Sequence, residues 1–107
     1  MSYIRFMRLI LFFDLPNVTK KEAKEYRKFL KGIKRLGFYM LQESVYVKMA
    51  IDNQSASFVT NRIYDVLPPN GNVFVLTITE KQFASMNILL GNFKTDVIST
   101  SERVVII

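Results

Sequence analysis

Residues 7–14 read Met7-Arg8-Leu9-Ile10-Leu11-Phe12-Phe13-Asp14. The run is dense in apolar side chains but far shorter than the roughly 18 residues a membrane span needs. As a strand it places Met7, Leu9, Leu11 and Phe13 on one face and Arg8, Ile10, Phe12 and Asp14 on the other. Both faces are largely apolar, so both need covering. Pro16, in Leu15-Pro16-Asn17, ends the run because it disfavours ladder pairing.

Downstream, Thr19 is a good N-cap, and Glu22 three residues later completes a capping box. The spacing predicts a helix to about Leu36, stopped at Gly37 in a left-handed conformation. Ala23, Tyr26, Phe29, Leu30, Ile33 and Leu36 form its apolar stripe. Phe38 to Leu41 and Ser44 to Ala50 read as two strands around Gln42-Glu43. Asp52-Asn53 opens a second helix with Ala56, Val59, Ile63 and Val66 on its apolar face, ended by Pro68-Pro69. After the turn at Asn70-Gly71, Asn72 to Thr79 reads as another strand. Phe74, Leu76 and Ile78 share one of its faces, and Val73 and Val75 the other. The order β-α-β-β-α-β predicts an α+β, ferredoxin-like fold, with both helices on one face of an antiparallel sheet. The other face is expected to be bare and apolar, and so to receive a second subunit in a homodimer. Glu80 to Met86 reads as a short helical turn. The terminal Arg103-Val104-Val105-Ile106-Ile107 reads as an extra strand that needs a neighbouring sheet edge.

The chain has 107 residues and no Cys, His or Trp. That length supports one domain, residues 1–107. Without Cys and His, thiolate metal sites and Ser-His-Asp or Cys-His catalysis within the chain are excluded. Any catalysis must use carboxylates, Lys, Arg, Tyr, Ser or Thr, with or without a metal. The opening, Met1 to Asp14, does not read as a signal peptide: Leu9–Phe13 is short, Arg8 precedes it, and Asp14 ends it without a small-residue cleavage site. A cytoplasmic protein with no membrane association is expected.

The net charge of +6 is unevenly spread. Ten of the fifteen Lys and Arg residues lie in residues 1–37, against three acids. Seven of them, Lys20, Lys24, Arg27, Lys28, Lys31, Lys34 and Arg35, fall within ~120° of the first helix's circumference, opposite the apolar stripe; Lys21 lies beside them. Glu22 and Glu25 lie off that arc, so like charges stand together, which destabilises a helix. A solvated outer face is the plain reading. A phosphate-binding surface accounts for the clustering better. Asp14, at the end of the first strand, is either a turn-capping residue or a Mg²⁺ ligand, and two copies across a two-fold axis make a better metal site than one. No Walker loop, dinucleotide Gly motif or RNA-recognition aromatic motif is present.

Four stretches in register, Met7–Asp14, Tyr26-Arg27-Lys28-Phe29 with Gly37-Phe38, Gln42-Glu43-Ser44-Val45-Tyr46, and Thr77-Ile78-Thr79-Glu80-Lys81-Gln82-Phe83 with Arg103-Val104-Val105, resemble the CRISPR-associated protein 2 family, in its type II-A-like form. The resemblance covers nearly the whole chain. It implies a ferredoxin-like homodimer whose C-terminal segment, within residues 80–107, adds to the partner subunit or to the spacer-acquisition integrase, with Val104, Val105, Ile106 and Ile107 at that interface. It implies a DNA-binding adaptor that bridges integrase dimers and holds a double-stranded protospacer. Some relatives are Mg²⁺-dependent nucleases of RNA or duplex DNA, with the Asp ending the first strand as metal ligand. Asp14 is that residue here, catalytic in this alternative, with one Mg²⁺ per dimer, and Arg27 matches the family's helix Arg. Met40 stands where nuclease-active relatives carry a base, which places the adaptor role first. A third reading, a regulatory domain for a small ligand, leaves the clustered charge unexplained.

Overall fold

The computed structural model describes residues 5–92. β1 (Met7–Asp14) is followed by α1 (Lys20–Arg35), β2 (Tyr39–Gln42), β3 (Val45–Ala50), α2 (Asn53–Ile63), a 3-10 turn (Tyr64–Val66), β4 (Asn72–Thr79) and α3 (Glu80–Ala84). The strands form one antiparallel sheet in the order β2-β3-β1-β4. This is the ferredoxin-like arrangement expected. β1 is interior, paired with β3 on one edge (Leu9 opposite Lys48, Phe12 opposite Val45) and β4 on the other (Leu9 opposite Thr77, Phe12 opposite Phe74).

The two faces of β1 organise two cores. Met7, Leu9, Leu11 and Phe13 meet Phe29 and Ile33 of α1 and Ala56 and Ile63 of α2. Leu9, Leu11, Phe29 and Ile33 are fully buried, each worth about 1.5–3 kcal/mol relative to exposure. Phe13 packs edge-on to Phe29, with ring centroids 5.1 Å apart, and to Tyr26 at 6.2 Å.

On the outer face the structure corrects the expectation of a bare surface. Ile10 and Val47 are covered by Phe83 of α3. Arg8 is buried there (3% exposed). Its Nε donates to Glu80 Oε1 at 2.6 Å and its second guanidinium nitrogen to Oε2 at 3.2 Å, while the guanidinium lies 4.5 Å from the centre of the Phe83 ring. A Thr79–Gln82 capping box starts this five-residue helix. Among the described residues, the other half of the outer face has no cover, with Phe12, Phe74 and Leu76 exposed.

α1 ends as its sequence requires. Gly37 takes φ +100°. The Gly37 amide donates to the Lys34 carbonyl and the Phe38 amide to the Ile33 carbonyl, the paired bonds of a Schellman ending. Phe38 and Ile33 are buried in the same core, which seals it. α2 is shorter than its periodicity suggested. Leu67 precedes Pro68 and is extended, as a pre-proline residue prefers, so the helix tightens into the 3-10 turn. β2 and β3 each start one residue later than read from sequence, with a bulge between Met40 and Gln42 and Ser44 at φ +66° in the turn. Val104–Ile107, expected to form an extra strand, lie outside the described residues.

Val66 of the 3-10 turn sets the approach of that turn to α1. A Cβ on Gly32 would stand 2.8 Å from Val66 Cβ and Cγ1, closer than carbon atoms tolerate. Gly32→Ala gains about 1 kcal/mol of helix propensity but overpacks this contact, at a cost of about 1–3 kcal/mol. The variant is expected to unfold at lower urea concentration than the wild type. In the Val66→Gly background, which removes both the Cβ and the methyls that a Gly32 Cβ would meet, the same change is expected to stabilise. A stabilised single variant would show that the turn yields freely.

Candidate nucleic-acid interface

The ridge is built by α1, and α1 is held at both ends. Glu22 Oε1 accepts from the Val18 amide at 2.9 Å and the Thr19 amide at 3.0 Å, and Thr19 Oγ1 accepts from the Glu22 amide at 3.1 Å. The box foreseen from Thr19 and Glu22 is complete. The helix runs 16 residues, about 24 Å at 1.5 Å per residue. Phe29 and Ile33 are buried, with Tyr26, Leu30 and Leu36 packed beside them.

All eight basic side chains singled out from sequence, Lys20, Lys21, Lys24, Arg27, Lys28, Lys31, Lys34 and Arg35, are exposed. Among the described residues the ion pairs are Arg8–Glu80 and Arg62–Asp65, so none of the eight is neutralised by a direct partner. Lys34 and Arg35 sit in the last turn, where the helix dipole favours cations. Lys20 and Lys21 open the helix, where it disfavours them by about 0.3–1 kcal/mol each. The stability of α1 therefore comes from its buried side and its ends, and its outer side carries charge that folding alone does not call for.

Asp14 stands apart from this ridge. It is exposed at the end of β1, opposite Asn72 of β4. The alternation that sends Phe13 into the helix-side core sends Asp14 to the outer face with Phe12. The sheet thus lies between Asp14 and the α1 ridge. Among the described residues no three or more His, Cys, Asp or Glu side chains gather. A hard cation such as Mg²⁺ takes about six oxygens in octahedral array. One carboxylate beside an amide does not fill that set, so the described residues around Asp14 do not by themselves fit the ion. Tyr46 is buried against Phe13 at 5.7 Å between ring centroids. Burial first, then the neighbouring Tyr26 and Glu43, raises its pKa, which keeps its hydroxyl protonated and so not available as a base. The Arg8–Glu80 pair escaped the sequence reading because its members are 72 residues apart and Arg8 sits in an apolar run. The one available signal was a charge within a strand expected to be covered on both faces.

The capping carboxylates titrate in a defined direction. The Glu22 pKa lies below its ordinary 4.5, chiefly through the Thr19 amide and then the Val18 amide. Asp52, the N-cap of α2, is lowered chiefly by the Ser55 amide. A lowered folded pKa gives stability that is present above the unfolded value and lost as pH falls through the folded one. Wild type is therefore expected to exceed Glu22→Gln in stability above pH 4.5, with the two converging in more acid solution. Urea midpoints across that range check this, and a difference independent of pH would refute it.

The family profile described as "CRISPR associated protein Cas2" matches residues 7–86. A relative from Ligilactobacillus salivarius, named CRISPR-associated endoribonuclease Cas2, is 46% identical over 101 residues, covering 94% of this chain and all of the relative. Relatives of the same name from Lacticaseibacillus rhamnosus (41% over 101 residues, 94% of this chain and all of the relative) and Streptococcus mutans serotype c (42% over 99 residues, 92% and 91%) also match. A solved structure described as "Crystal structure of cas2" superposes with a TM-score of 0.57 at 14% identity, covering 84% of this chain and 92% of that one. That likeness concerns the fold.

Proposed function

The chain belongs to the CRISPR-associated protein Cas2 family, and from that membership we propose that it is a cytoplasmic, homodimeric, single-domain DNA-binding adaptor, which bridges a spacer-acquisition integrase and holds a protospacer duplex along α1. The observation that carries this reading is the row of eight exposed, unpartnered basic side chains on one helix. Flexible cations on a helix of about 24 Å match a phosphate backbone and read no base edges. No helix among the described residues is long and apolar enough to cross a membrane.

The homodimer rests on the open half of the outer face. Phe12, Phe74 and Leu76 are neighbours across β1 and β4 and are more than a third exposed. An isologous contact covers such a patch once on each copy. Phe74→Lys is expected to shift sedimentation from dimer to monomer while the far-ultraviolet circular dichroism stays unchanged. A variant that remains dimeric would place the interface elsewhere.

A second reading is favoured by the relatives' printed name, endoribonuclease, and by the exposure of Asp14 at the strand end. In it, the Asp14 carboxylates of the two copies would together hold a Mg²⁺, which would supply an activated water for hydrolysis of a phosphodiester in RNA or duplex DNA.

One titration series separates the two. If each subunit neutralises about two to four phosphates, log K against log salt has a slope of about −4 to −7. Lys20, Lys24 and Lys31 changed to Gln are expected to flatten the slope and weaken binding alike on all sequences. Asp14→Asn is expected to bind as wild type does. A slope near zero would refute duplex binding through α1. Mg²⁺-dependent cleavage present in wild type and lost in Asp14→Asn would establish the second reading.

A further inference from the structure

We infer that the duplex runs off-centre on α1, along Lys20, Lys24, Arg27, Lys31 and Lys34, because Glu25 and Asp65 line the helix's other flank and turn phosphates away from it. The inference rests on the duplex-binding reading above.

The eight basic residues are not equivalent. A cleft of about 200 Å³ between α1 and the segment through Pro68 is lined by Lys28, Lys31 and Arg35 together with the carboxylates of Glu25 and Asp65. A second hollow of about 220 Å³ places Lys21 beside Glu22 and Glu25. On this flank Lys21, Lys28 and Arg35 thus each share a hollow with an acid. The remaining five occur at steps of four, three, four and three residues, which makes a straight ridge about 21 Å long. Of these five, Lys31 also borders the cleft.

The acidic border is fixed in place. Val66 sits so close to Gly32 that only glycine fits there, which sets the distance between the 3-10 turn and α1. Asp65 lies in that turn, and Arg62 holds its carboxylate at 3.1 Å. That pair is more than half exposed on both sides, so Arg62 positions the acid and offsets part of its charge, and Glu25 is the acid of this flank without an ion-pair partner among the described residues. At physiological salt, charges act over about 8 Å, within the span of a hollow this size. A phosphate on this flank meets bases whose field is already offset. On the ridge it meets bases alone.

The test uses the full chain and a mixed-sequence DNA duplex several helical turns long, with fluorescence anisotropy read over a range of salt. Arg27→Gln with Lys34→Gln is compared with Lys28→Gln with Arg35→Gln, two pairs with the same formal charge change at the same spacing. The first pair is expected to weaken binding roughly tenfold or more at low salt and to reduce the slope by about one for each phosphate it no longer neutralises. The second is expected to weaken binding severalfold less than the first and to change the slope by less. Glu25→Gln, alone and with Asp65→Asn, is expected to bind several-fold more tightly. Circular dichroism of each variant checks that α1 persists. Equal weakening by the two pairs, or no gain from removing the acids, would overturn the off-centre path while leaving duplex binding standing. Wild type that leaves the duplex free at low salt would overturn the duplex reading and this path with it.

Discussion

β1 is buried on both faces from Met7 to Leu11 and paired along both edges, and each other element is where it is because of that. Its inward residues, Met7, Leu9, Leu11 and Phe13, make the floor on which α1 and α2 pack. Its outward residues, Arg8 and Ile10, make the seat for α3. A strand with two apolar faces cannot lie at the surface of a two-layer fold without a third covering. In this molecule five residues of α3 supply part of that cover. A guanidinium completes it, with its charge met by Glu80 and its plane laid on Phe83. A buried ion pair is weak evidence of stability, because desolvation offsets most of the attraction. What it specifies here is position: with Glu80 tied to Arg8, Phe83 falls over Ile10 and Val47 and nowhere else on the sheet.

The charge on α1 follows from the same division of labour. A helix bearing this many like charges is a poor helix in isolation. It forms because Phe29 and Ile33 are fully buried, because Thr19 and Glu22 satisfy the first amides, and because Gly37 and Phe38 close the last carbonyls. None of these groups lies on the outer side. The outer side is therefore free to carry charge, which in the duplex-binding reading meets a polyanionic partner, and the fold absorbs the repulsion at positions remote from it.

Legibility in the sequence tracked the range of the interactions. Thr19–Glu22, Asp52 and Gly37 act within a few residues, and each was readable and is where it was read. The alternation of β1 and of β4 was readable for the same reason, since a period of two needs no distant partner. The early end of α2 was half-readable. Pro68 was seen as a stop, but the constraint it puts on Leu67, and the tightening from Tyr64 to Val66, depend on how the turn meets Gly32. The cover on the outer face was not readable, because it joins Arg8 to Glu80 across the whole chain. For the candidate site, the identity and exposure of the basic residues were legible. Their inequality was not, because Asp65 reaches the flank of α1 only through the packing of Val66.

The two functional readings occupy different sides of the sheet, and this bears on how they relate. The α1 ridge faces away from the sheet on the helix layer, and Asp14 falls with Phe12 on the outer face. A helix is about 10–12 Å across with its side chains, and the sheet adds its own thickness. A backbone seated on the ridge thus lies across the sheet from the outer face that carries Asp14. Cleavage at Asp14 would act on a strand that the ridge does not hold, and binding on the ridge does not present its duplex to Asp14. The exposed patch of Phe12, Phe74 and Leu76 lies on the Asp14 side. A second copy docking there would leave both ridges facing outward. Dimerisation would then set out the two basic surfaces that an adaptor needs, and the second reading requires that it also bring the two Asp14 carboxylates together. The open half of the sheet is therefore the place where both readings converge.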